Sequence, residues 1–192
     1  MMLRLVVWLL RVLLPEERFH DVLPRFGRER MQRLVRPSPT VIDGAAILGL
    51  FHVGPLFAVA AYLDRLPRKA FGIVRQRDDQ QRALVFAQAV QHLRGGGLVV
   101  MAVDPEQASS RIGVPFRGGT LHLARGAFAL ARITGAPIVP LAARWRGLWI
   151  EIVVGEALSG ATEEELAASA AQWLERYLDG APLTRRLREL MS

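Results

Sequence analysis

Three features of this chain predict an α/β fold: one domain with a central, mostly parallel or mixed sheet and helices on both faces. Short apolar runs alternate with segments of helical spacing from Ala45 onward. Most of these runs and segments stop at glycine, proline or a polar residue. A length of 192 residues, 51% of them hydrophobic, suffices for one well-packed core and is short for two.

The chain opens with Met1 to Leu14, apolar except for Arg4 and Arg11, whose seven-residue spacing sets them on one helical face. This reads as an amphipathic helix too short to span a bilayer, with Trp8 suited to headgroup depth. Pro15 ends it. From Glu16 to Arg36 the chain is charged, with Phe19, Val22, Leu23, Phe26, Met31 and Leu34 spaced for one or two short helices, and Pro37-Ser38-Pro39 stops them. Residues 1–36 are therefore expected as a membrane-facing helical segment, and residues 37–192 as the α/β domain.

Ala45 to Phe51 predicts a buried strand that delivers His52 to its carboxyl edge, and Leu56, Val59, Ala60 and Leu63 give the helix behind it. Ala70 to Val74 predicts a second strand ending at Arg75. The next helix carries Leu84, Ala87, Val90, Gln91 and Leu93 as a mostly apolar stripe and stops at Gly95-Gly96-Gly97. Leu98 to Val103 reads as a continuous apolar strand closed by Asp104-Pro105, and Ile112 to Phe116 as a further strand. Arg117-Gly118-Gly119-Thr120 is expected to open a helix from Leu121 to about Ile133, closed by Gly135. Pro137 to Ala142 and Leu148 to Val154 read as strands. Thr162 with Glu165 forms a capping box before the stripe Leu166, Ala170, Trp173, Leu174 and Tyr177. A short basic helix from Leu183 to Met191 follows.

Composition removes several chemistries. The chain has no cysteine, which excludes disulfides, thiolate metal sites and a cysteine nucleophile. It lacks a G-x-S-x-G elbow, and its lone lysine, Lys69, follows Arg68, so no phosphate-binding lysine loop exists. The four histidines show no metal-ligand spacing, and no cofactor or metal is expected. A net charge of +7 on so apolar a chain suits an anionic membrane surface or a phosphorylated substrate. The arginines are spread without an interleaved aromatic platform, which argues against nucleic acid as a partner.

What remains is His52 and Asp104 at two carboxyl edges, where open α/β sheets hold ligands, with arginines on neighbouring loops. Histidine is the side chain best suited to act as a general base near neutral pH. Arg75 closes a strand. Arg117, with the backbone amides of Gly118, Gly119 and Thr120 at a helix start, is placed to hold a phosphate.

In this order the segments become recognisable. The histidine-ended strand, the arginine-ended strand, the helix stopped by glycines and the strand closed by Asp104 are joined by Val114-Pro115-Phe116-Arg117-Gly118-Gly119. Together with Arg132-Ile133-Thr134-Gly135-Ala136-Pro137-Ile138-Val139-Pro140, they resemble the lysophospholipid acyltransferase superfamily. The nearer branch is that of the lipid A lauroyl/myristoyl acyltransferases, and the resemblance covers about residues 40 to 158. It implies a glycerolphosphate acyltransferase-like fold and a role in lipid biosynthesis on the cytoplasmic side of the cell membrane. The donor would be an acyl thioester on acyl carrier protein or coenzyme A, and the acceptor a lipid or glycolipid hydroxyl deprotonated by His52.

Gly54 matches the family's glycine two positions after the histidine, whereas Pro55 replaces its asparagine and Phe57 its acidic residue. Asp64 lies about two turns further along the helix, so Asp104 is the better substitute for the missing acid. The segment between His52 and the glycines is also shorter than in this branch, which implies a reduced acceptor pocket. Phe57 keeps open a second reading, a catalytically impaired relative that binds lipid or acyl chains or partners a membrane enzyme.

Overall fold

The computed structural model describes residue 6 and residues 32–36, 38, 40, 42–73, 78–105, 108–180 and 185–191. The predicted N-terminal amphipathic helix apart from Val6, most of the charged segment after it, and Arg75 with Val74 lie outside these residues. The fold is α/β. Among the described residues thirteen elements follow in chain order: β1 (Val35–Arg36), β2 (Ala46–Leu50), α1 (Leu56–Leu63), β3 (Ala70–Ile73), α2 (Asp79–Arg94), β4 (Leu98–Ala102), β5 (Arg111–Phe116), β6 (Gly119–Ala124), α3 (Arg125–Thr134), β7 (Ile138–Arg146), β8 (Trp149–Val154), α4 (Glu163–Leu178) and α5 (Arg185–Glu189). One mixed sheet of six strands has the order β1-β8-β7-β2-β4-β3, and β5-β6 form a separate pair.

By its internal contacts the chain divides into two compact parts. The larger holds residues 42–52, 68–141 and 155–192. Its centre is β2, parallel to β4 on one side and to β7 on the other. A strand paired on both sides and covered on both faces needs no polar face, so it reads as an unbroken apolar run, and Ala46, Ile47 and Leu48 are buried. Gly49 keeps the strand thin, because a Cβ there would meet Ile138 Cγ2 at 3.0 Å and Val103 Cγ1 at 3.3 Å. The chain passes β3-α2-β4 and then β4-α3-β7 in the same direction along the sheet, so right-handed crossovers set α2 and α3 on one face, where they touch.

The segment expected to enter a helix at Leu121 is instead a hairpin. Arg111–Phe116 and Gly119–Ala124 pair antiparallel, Val114 opposite Leu121 and Ile112 opposite Leu123, and α3 starts only at Arg125. Arg117 (φ 47°) and Gly118 (φ 78°) close the hairpin as a two-residue turn with both central residues left-handed. The apolar residues Leu121 and Leu123 fit the strand period of two and are fully buried, while Ala124, Ala127 and Phe128 fit a helix period, so the sequence spacing alone was ambiguous. α4 packs on β5, whose Ile112, Val114 and Phe116 point inward. It carries the predicted capping box: Thr162 accepts from the Glu165 amide, and Glu165 returns the bond to the Thr162 amide.

The stripe predicted for α2 does not face inward as a whole. Ala89 and Leu93 are buried, but Leu84 is 59% exposed, and Val85 and Phe86 are half-buried beside a cavity described below.

The smaller part includes residues 53–67 and 142–154 with the described N-terminal residues up to 40. Here the end of the charged segment, expected to be helical, is the strand β1, in which Val35 pairs with Ile150 and Arg36 with Glu151. The Arg36 guanidinium lies 4.4 Å from the Trp149 ring centroid, which rewards the extended backbone with a cation-π contact. α1 packs on β8 and β1. Glu151 accepts from Arg144 Nε at 2.7 Å and Arg146 Nε at 3.2 Å. The Arg144 hydrogen bond, followed by that of Arg146 and the charges of both, holds the Glu151 carboxyl below its ordinary value against a partial desolvation.

Because that shift is downward, its stabilisation is complete above the ordinary glutamate value and is lost as pH falls through the depressed one. Glu151→Gln should therefore flatten the acid limb of stability and cost about 0.5 kcal/mol at neutral pH, the size typical of exposed pairs. Thermal melts across acid pH check this.

A second expectation concerns Gly155, where a Cβ would lie 2.6 Å from Pro140 Cγ and collide with the Trp173 indole nitrogen. Gly155→Ala should destabilise by about 1–3 kcal/mol, the usual cost of overpacking, read from urea unfolding followed by Trp fluorescence.

Candidate active site

The parallel register places two polar residues together. Leu50 pairs with Ala102 at the end of β2 and β4, and the Val103 amide donates to the Leu50 carbonyl at 3.0 Å. Two positions beyond each paired residue come His52 and Asp104, at the carboxyl edge of the sheet. The opposite flank is tied by the Phe51 amide, which donates to the Leu141 carbonyl at 3.0 Å.

Asp104 is completely buried and takes His52 by two groups. The His52 amide donates to Oδ2 at 2.8 Å and to Oδ1 at 3.0 Å, and the ring Nδ1 lies 2.7 Å from Oδ1. With both carboxylate oxygens serving as acceptors of the amide, Nδ1 is the donor in the ring contact, and the second nitrogen, Nε2, carries the free lone pair. The His52 side chain keeps 21% of its surface accessible, while Asp104 keeps none. Since Nδ1 faces the buried carboxylate, the accessible end of the ring is the Nε2 end. A histidine held in this way, with one nitrogen bonded and the other turned away from its partner, can serve as a general base.

From its far side the segment is held by aromatic packing. Phe51 is fully buried and stacks on Trp173 with centroids 5.4 Å apart, and Trp173 stacks on Tyr177 at the same separation. Trp173 and Tyr177 are four apart on α4 and so share a face.

The other predicted residues are placed differently. Arg117 is half-buried at the hairpin tip, its guanidinium 5.9 Å from the Phe116 ring centroid. Gly118 completes the turn, Gly119 begins β6 beside Met191, and Thr120 pairs with Pro115 as part of the strand. The helix-start amides expected to cradle a phosphate beside Arg117 are absent there, because the helix begins eight residues later. Arg75 lies outside the described residues. Phe57, at the position where an acid was expected, is a half-buried residue of α1.

The resemblance implies a phenylalanine-lined groove for the acyl chain without placing it in the sequence; the larger part of the chain holds a cavity of about 910 Å³ in whose lining, among the described residues, Phe86 is the one phenylalanine. Its walls come from β3 (Ile73), the first half of α2 (Val85, Phe86), the end of β4 (Met101, Ala102) and the first turns of α3 (Gly126, Ala129). Arg82, Arg125, Ser109 and Ser110 supply its polar groups, and Arg125 is also paired with Glu163 at 3.2 Å. Neither His52 nor Asp104 lines it, yet Ala102 and Pro105 on either side of Asp104 do. The cavity thus adjoins the pair through the residues at and just past the end of β4. A signal was present in the sequence: Ala83-Leu84-Val85-Phe86-Ala87 is apolar all round, more than one buried helix face requires.

Among the described residues no group of three or more acidic or histidine side chains could hold a metal ion, and no helix is long and apolar enough to cross a membrane. No protein-family model matches the chain, and no curated protein matches it.

Proposed function

We propose that this protein transfers an acyl chain from a thioester, carried by acyl carrier protein or coenzyme A, to a hydroxyl of a lipid or glycolipid acceptor. The observation that carries the reading is the 2.7 Å contact between His52 Nδ1 and a fully buried Asp104. It supplies from β4 the acid that the sequence resemblance to the lysophospholipid acyltransferases lacks at Phe57.

The reaction uses only that pair. Nε2 of His52 takes the proton of the acceptor hydroxyl as its oxygen attacks the thioester carbonyl carbon. Asp104 keeps the proton on Nδ1 and stabilises the imidazolium that forms. When the carbon–sulfur bond breaks, the imidazolium returns the proton to the leaving thiolate, and His52 is neutral again. The apolar cavity beside Asp104 takes the acyl chain, and its volume is in the range of small-ligand sites.

Arg117, half-buried at the hairpin tip, would bind a phosphate of donor or acceptor through its guanidinium, without the helix-start amides expected beside it. With a net charge of +7 and an apolar N-terminal sequence, the protein works as a peripheral protein on the anionic cytoplasmic face of the membrane.

The test is transfer of radiolabelled acyl groups from either carrier into a bacterial lipid extract. His52→Ala should abolish transfer, and Asp104→Asn should lower turnover by about 10⁴-fold with little change in donor KM, as in a serine-protease triad that loses its acid. Asp104→Asn should also cost about 1–3 kcal/mol in stability, since a buried hydrogen-bond set is left mismatched. Transfer that survives His52→Ala would sink the base assignment. Acyl-chain binding with no transfer under any condition would make the protein a lipid-binding relative.

A further inference from the structure

Met101 lies on β4 and reaches across to the first turn of α3. A Cβ built on Gly126 would come 2.5 Å from Met101 Cε and 3.6 Å from Sδ, so the thioether end lies flat against the Gly126 backbone. Both residues line the 910 Å³ cavity, at the strand that continues through Ala102 and Val103 to Asp104. Apart from the polar groups of Arg82, Arg125, Ser109 and Ser110, the rest of the wall is stiffer: Ile73 is β-branched, Phe86 is a ring, and Ala83, Ala87, Ala108 and Ala129 have no side-chain torsion. Methionine is unbranched, with three rotatable bonds and a polarizable end, and fills irregular space where a rigid residue would leave a gap. Gly126 is what lets that end retract, because any side chain there would drive it into the cavity.

We infer that Met101, seated on Gly126, sets the length of acyl chain the cavity accepts. The inference rests on the acyl-transfer reading. It makes the thioether a movable part of the wall: retracted over Gly126 it leaves the cavity at its present size, and displaced from Gly126 it occupies volume that a chain would fill. A chain matched to that volume buries its terminal methylenes against Met101, and a longer one must push the end out or leave methylenes in water.

The experiment displaces a fluorescent fatty acid from the full chain with saturated fatty acids from octanoate to octadecanoate. Transfer is measured in parallel with acyl thioesters of the same lengths. Met101→Ala should move the preferred chain to greater length, with affinity for the longer chains rising about fourfold for each additional methylene buried. Met101→Phe and Gly126→Ala should move it to shorter chains by a similar factor per methylene, and Met101→Leu, close in volume, should leave it nearly unchanged. Thermal melts confirm that each variant is folded. Met101→Ala and Met101→Leu keep the test decisive if the bulkier variants are not.

An identical chain-length profile in wild type and Met101→Ala would overturn the inference while transfer and the acyl-chain reading stand. Wild-type protein that binds no chain, yet transfers a short acyl group in a His52-dependent manner, would also overturn it and would remove the cavity from the mechanism. Loss of both binding and His52-dependent transfer would bring down the functional reading as well.

Discussion

The parallel pairing of β2 with β4 is the constraint from which the rest of the site follows. A carboxylate with no access to water is costly to bury unless its oxygens are satisfied, and here His52, just past the end of the neighbouring strand, bonds both of them through its amide and its ring. That arrangement exists only in one register. A slip of one residue would bring Val103 or Pro105 opposite His52 and cost Asp104 its three hydrogen bonds to His52, while turning the apolar runs of both strands out of step with their surroundings. The bonds that orient the imidazole therefore also select the register of the sheet's centre.

The Asp104 contact holds the His52 ring from one side only. The second hold comes from Phe51, whose amide is tied to β7 and whose ring is stacked on Trp173. Trp173 can lie there because Gly155 has no side chain, and the Tyr177 ring backs it on the other side. His52 thus stands at the junction of a polar contact to β4 and an aromatic stack to α4. Rigid elements fix both of its neighbours, which under the acyl-transfer reading is the support a preorganised base needs.

Much of this is legible in the sequence, for reasons that differ by element. The strands β2 and β4 are readable because interior parallel strands are unbroken apolar runs, and the polar residue that ends each run marks the ligand-holding edge. The capping box of Thr162 and Glu165 is readable because it is a local exchange of hydrogen bonds. The hairpin β5-β6 is not readable as a hairpin, since its turn has Arg117 at a left-handed position usually held by glycine, asparagine or aspartate. β1 is hidden for a different cause: two residues carry no period, and its strand character comes from Ile150, Glu151 and Trp149 far along the chain. That His52 and Asp104 both lie at carboxyl edges could be read. That their strands are adjacent and in step could not, because strand order is set by the whole fold.

Under the acyl-transfer reading, the exchange of a local acid for a distant one has a mechanistic consequence. An acid five residues after the histidine sits on the helix that follows the strand, so the pair could approach its geometry from local structure. Here Phe57 leaves that helix to apolar packing, and the acid comes from a residue 52 positions away whose approach requires a completed parallel pair. Contacts of such sequence separation form only after their loop-closure entropy is met. The dyad is therefore assembled by the same step that completes the sheet's centre, and it has no existence in a partly folded chain. It also fixes the relation of base to cavity, for the strand that carries Asp104 carries Met101 and Ala102 in the cavity wall. On that reading one stretch, β4 and the residues just past it, carries both the acid that orients the base and part of the cavity wall.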